Sequence, residues 1–158
     1  MTEVEKIVEQ LNSALVGDAW HGPALMKLLE DVTAPQALAR PLPGAHNIWE
    51  ISLHITAWLR ACRNRLEGQR AELSSTEDWP PLRDPDDAGW NKVRRDLLGA
   101  GDELRAAITR LDDSRLEQPI LEGMRSVYVT LHGVIQHSLY HAGQIAILRN
   151  EVMKGHTI

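Results

Sequence analysis

A chain of 158 residues, 43% apolar and 25% charged, has the size and balance of one globular domain around one core. Its formal net charge of −5, with no block of lysine and arginine, argues against a general nucleic-acid binder, which needs a basic stripe to displace counterions. The single cysteine, Cys62, excludes an intramolecular disulfide and a cysteine-rich zinc site.

From the N-terminus, Val4, Ile7, Val8, Leu11, Ala14 and Leu15 recur at helical spacing and predict a helix from Glu3 to about Val16. The stretch Gly17 to Pro23 interrupts it. Pro23 suits a first helical position, so a second piece is expected through Leu25, Leu28 and Leu29 to Asp31. A loop with Pro35, Pro41, Pro43 and Gly44 follows. Asn47 then has the character of a helix cap, with Glu50 three residues on completing a capping box. Ile48, Ile51, Ile55, Trp58, Leu59, Cys62 and Leu66 form the apolar face of this helix, and Gly68 ends it.

Residues 69–85, with three prolines, predict a long connection. A third long helix is expected from Asp86 to Leu111, weakened in its middle by Gly99 and Gly101. Another connection, with Pro119 and Gly123, leads to a last helix from about Val129 to Glu151. The tail from Lys154 is expected to fray. No strand and no internal repeat is evident. The expectation is an all-α, four-helix bundle with long crossover connections, a single domain over residues 1–158. The acidic start of the chain is unlike a secretory leader, and no apolar stretch approaches the roughly 20 residues that span a bilayer. A cytoplasmic protein with neither a membrane nor a nucleic-acid partner is expected.

Seven histidines in a chain with one cysteine make imidazole the main source of strong metal ligands. His137 and His141 are four residues apart, so one helix face carries both, one turn apart, on the side of Val134 and Ile145. That spacing lets two ring nitrogens reach one ion, as in zinc sites of the H-x-x-x-H type; no glutamate follows His137, so the zinc-protease base is missing. The competing interpretation is two core histidines bonded to backbone or water. His54, midway along the second long helix, is a third candidate, with the same alternative. His132 is rotated by roughly 140° from His137 and is not expected to join the same ion. His21 and His46 fall in loops, where turn stabilisation competes with lining a pocket mouth. His156 lies in the tail. Gln144 shares the His137 face and could bond a ligand imidazole. Glu50, a turn before His54, could orient a ligand or simply cap its helix. Trp58 could wall the site, Tyr140 could sit at its edge, and Trp79 in the long connection could cover a pocket. Trp20, Trp49 and Trp90 are expected to pack, and Cys62 is expected to be a core thiol.

The segment His137-Ser-Leu-Tyr-His141-Ala-Gly-Gln144-Ile, with His54 upstream in Ile-Trp-Glu-Ile-Ser-Leu-His-Ile, resembles the DinB/YfiT-like superfamily of four-helix-bundle metalloproteins. The likeness runs along almost the whole chain. Trp20-His-Gly-Pro and Pro-Gly-Ala-His46-Asn-Ile-Trp49-Glu look like one uncharacterised branch. The resemblance implies that His54, His137 and His141 bind a divalent metal, zinc or nickel foremost, with iron and manganese also compatible with three imidazoles. It implies, further, a metal-dependent transferase using a low-molecular-weight thiol such as bacillithiol or mycothiol and an electrophilic substrate, and a homodimer. The alternatives are a non-catalytic metal-binding stress-response module and a metal-dependent hydrolase.

Overall fold

The protein is described from a computed structural model over residues 1–155; His156 and the end of the predicted tail lie outside the described residues. Four long helices dominate: α1 (Glu3–Leu15), α4 (Ile48–Leu66), α6 (Asp87–Thr109) and α7 (Val127–Lys154). Three short ones lie in the connections: α2 (Leu25–Leu29), α3 (Ala34–Leu38) and α5 (Ser75–Asp78). A 3-10 turn covers Asp113–Arg115. No strand occurs among the described residues. Around the bundle the order is α1, α6, α4, α7, because α1 and α4 each pack on both α6 and α7. The all-α, four-helix-bundle expectation holds.

The helix starts are chemically marked. Thr2 with Glu5 and Asn47 with Glu50 form capping boxes on α1 and α4. Asp86 caps α6 through the amide of Gly89, and Ser126 caps α7 through that of Val129. Asp113 adds a tertiary cap: its carboxylate accepts the amides of Glu3 and Val4 at 2.9 Å each, which ties the start of α1 to the 3-10 turn.

Several local expectations change. Pro23 precedes the cap of α2 rather than opening the helix. α3 forms where a loop is expected, because Thr33 and Gln36 make a capping box and Pro35 sits in the first turn, where its missing amide costs nothing. α5 forms inside the long connection on a Ser74–Glu77 box. α7 starts at Val127 and runs to Lys154, beyond both expected ends. Gly99 and Gly101 do not interrupt α6. A Cβ at Gly101 would stand 2.7 Å from Leu15 Cδ1, so this glycine is a contact point for α1. Trp49 and Trp90 are buried against each other with ring centroids 5.3 Å apart, and the Trp90 indole N–H donates to the Val32 carbonyl at 2.7 Å. Trp20, by contrast, is fully exposed and packs on nothing substantial.

Candidate metal centre

The packing of α4 on α7 brings three histidines together. His54 lies mid-way along α4, and His137 and His141 face it from successive turns of α7. His54 and His141 are 5% and 7% exposed, and His137 is half-buried. Each offers one ring nitrogen to a common space, these atoms all lying within 4.8 Å of one another. The Nε2 atoms of His54 and His137 are 2.9 Å apart.

The neighbours of the rings decide which nitrogen is available. The Asp78 carbonyl lies 2.7 Å from His54 Nδ1. A carbonyl accepts only, and the Asp78 carboxylate Oδ1 stands 3.2 Å from the same nitrogen, so Nδ1 carries a proton; in the neutral ring that leaves the lone pair on Nε2. The Gln144 side-chain oxygen does the same for His141 Nδ1 at 2.6 Å. These are the outer contacts that orient ligating imidazoles in metal sites. His137 differs: its Nδ1 is buried with no hydrogen-bond partner among the described residues. Burial, reinforced by the charges of its two neighbours, pushes His137 down to about 4, and burial also lowers His141. A divalent cation binds the neutral form of an imidazole, and with three ring nitrogens turned to one space the residues could hold a metal ion.

Aromatic rings wall the site. Trp79 is stacked between two histidines, 3.9 Å from the His54 centroid and 3.6 Å from that of His46, almost parallel to both. Trp58 lies 5.7 Å from His137 and donates its indole N–H to the Asp78 carboxylate at 2.7 Å. Tyr140 stands edge-on to His141 at 5.1 Å while remaining largely exposed.

The sequence profile of the DinB superfamily matches residues 19–145. The chain belongs to the DinB superfamily. Its fold is similar to that of a conserved protein from Enterococcus faecalis, known from a crystal structure. The TM-score is 0.73 at 16% identity, over 98% of this chain and 99% of that one. At that identity the likeness speaks for the fold alone. No curated protein matches the chain.

Not every expected residue of this superfamily member reaches the centre. Glu50 caps α4 and binds Arg40 and His46, so it touches the site only through the His46–Trp79 stack. Gln144 serves His141, three residues before it, rather than His137. His132 packs on Tyr128 at 4.3 Å, apart from the triad, and His21 is exposed. Cys62 is a core thiol whose burial pushes it up to about 12. Asp78 is the residue the sequence does not point to: it reaches His54 from the connection, through its backbone carbonyl at 2.7 Å and its carboxylate at 3.2 Å. The only hint is the Ser74–Glu77 box, which announces a helical turn ending beside it.

Proposed function

We propose that His54, His137 and His141 bind one divalent metal ion, zinc or nickel before iron or manganese, and that the centre serves transfer of a low-molecular-weight thiol to an electrophile. The convergence of three ring nitrogens carries the metal reading, two of them with the opposite nitrogen held by a protein acceptor. When bound, the ion would supply positive charge beyond what three neutral ligands satisfy, which favours a thiolate over a thiol.

The chain's own residues then divide the work. The three imidazoles bind, while the Asp78 carbonyl and Gln144 hold protons at Nδ1 of His54 and His141 and so orient those rings. Trp58 and Trp79 keep water from two sides. Cys62, buried and pushed up to about 12, offers no thiolate at neutral pH, so in this reading the sulfur is that of a small thiol in solution, of the bacillithiol or mycothiol type. In the transfer, a sulfur–carbon bond forms as the bond from that carbon to its leaving group breaks. The leaving group keeps the electron pair, and the thiol proton passes to solvent.

The test is elemental analysis of untagged protein, then turnover of thiol with electrophile. One zinc or nickel per chain, with activity lost in His141→Ala, is the expected result. Failure to take up any of zinc, nickel, iron or manganese would remove the reading. The burial of His54 and His141 favours a second reading, an ion that holds the bundle together without catalysis. That reading expects a large drop in melting temperature on chelation and no turnover with any thiol.

A further inference from the structure

The connection between α4 and α6 does more than join two helices. Resting on the metal reading above, we infer that its Asp78–Trp79 step is the positioning device of the centre, which holds the His54 ring with Nε2 turned toward the α7 histidines.

An imidazole on a helix has two neutral tautomers and can turn about its side-chain torsions. Helix α4 supplies no hydrogen bond to the His54 ring; apart from His137, its polar partner is Asp78, whose backbone carbonyl lies 2.7 Å and whose carboxylate Oδ1 lies 3.2 Å from Nδ1. The same residue's carboxylate accepts from Trp58, one turn further along α4, so Asp78 grips α4 at two successive turns. Trp79 fixes the ring plane: its indole lies 3.9 Å from His54 with 5° between the planes. The far face of the indole is covered in turn by His46, 3.6 Å away and 9° from parallel. His46 is bonded through Nδ1 to Glu50 at 3.1 Å, and Glu50 is tied to Arg40 and to the Asn47 amide. The stack is therefore backed by the start of α4 and does not depend on the ion.

Both ends of the connection are fastened away from the site. Arg65 donates from Nε and Nη2 to the Ala71 carbonyl at 3.0 and 2.7 Å. At the other end the Asp84 carbonyl presses on Gly89, where a Cβ would stand 1.9 Å from that oxygen, so only glycine fits. Anchored at both ends, the connection can hold His54 in its ligating form before a metal arrives. Loss of such outer contacts commonly costs 10–100-fold in metal affinity.

The experiment compares wild type, Trp79→Ala and Trp79→Phe, with Gly89→Ala as a variant that loosens the connection far from the ring. Zinc affinity is read by chelator competition, coordination by the visible spectrum of the cobalt-loaded protein, and the His54 tautomer by imidazole nitrogen-15 NMR of the metal-free protein. Trp79→Ala is expected to weaken zinc binding about 10–100-fold, to alter the cobalt spectrum and to mix the His54 tautomers. Trp79→Phe should restore most of all three, because a flat ring is back on the stack. Wild-type zinc affinity, cobalt spectrum and His54 tautomer in a folded Trp79→Ala protein would overturn the inference. A wild type that takes up neither zinc nor cobalt overturns the metal reading instead. The metal-free tautomer then decides alone, with an unchanged Nδ1–H form in both Trp79→Ala and Gly89→Ala counting against the positioning role.

Discussion

Where α1 lies on α6, the seam is closed by Leu11, Leu15 and Leu97, all buried, with Gly101 letting the helices come close. Helices α4 and α7 bury Ser52, Thr56, Ser138, His54 and His141 instead. The three hydroxyls return to carbonyls of their own helices at 2.8–2.9 Å and need no partner across the seam. The imidazoles have no such option. One seam is closed by hydrocarbon, with one polar bridge from Arg105 to the Asn12 side-chain oxygen at 3.1 Å; the other is complete in its hydroxyls and leaves ring nitrogens facing one another. The candidate metal centre and the glycine-tightened leucine seam thus lie between different pairs of helices.

The largest effect that tests this division is expected at His141. His141→Ala removes one of three donors, so stoichiometric metal uptake should be lost while the metal-free protein still unfolds cooperatively; elemental analysis beside a melting curve gives both answers. Leu97→Ala should do the reverse. Truncating this buried side chain should cost about 2–5 kcal/mol in denaturant unfolding, with metal stoichiometry kept. If Leu97→Ala lost the metal while His141→Ala kept it, the two seams would not be independent. Gln144→Leu comes next. It removes the acceptor at His141 Nδ1 and leaves all three donors, so affinity should fall about 10–100-fold with stoichiometry unchanged. An unchanged dissociation constant would mean that Gln144 does not orient the ring.

How much of this is legible in the sequence follows from the range of each interaction. The long helices are legible because their periodicity and caps are local, as in Asn47 with Glu50. The pairing of His137 with His141 is legible for the same reason, since one turn of helix determines it. His54 is 83 residues from His137, and nothing local joins them; the family pattern does. α3 and α5 are too short to show a period, so only their capping boxes betray them. Asp78 is missed because its carbonyl has no sequence signature and its carboxylate meets His54 only once the connection folds back on α4. The place of Trp79 between His46 and His54 depends on how the connection folds back across α4. Gly101 misleads in the opposite direction, because helix propensity counts its missing side chain as a weakness while α1 uses the space.

The smallest expected effect concerns acid. His137 is held at about 4 in the fold, against about 6.5 for an unfolded histidine, and His141 is lowered in the same direction. Between these two values the unfolded chain takes up a proton that the folded chain refuses. Stability of the metal-free protein should therefore be greatest above pH 6.5, fall as pH drops, and finish losing this contribution near pH 4. Asp31 and Glu50, held low partly by Arg149 and Arg40 respectively, lose their contributions at lower pH still, so the upper part of the window belongs to the histidines. Discounted for the partial exposure of His137, the effect is on the order of 1 kcal/mol, or a few degrees in Tm. Replacing His137 with glutamine should flatten the slope between pH 6.5 and 4.5, whereas Leu97→Ala should lower the whole curve and keep the slope. A slope that survives when both His137 and His141 are replaced with glutamine would place the acid sensitivity outside the α4–α7 seam.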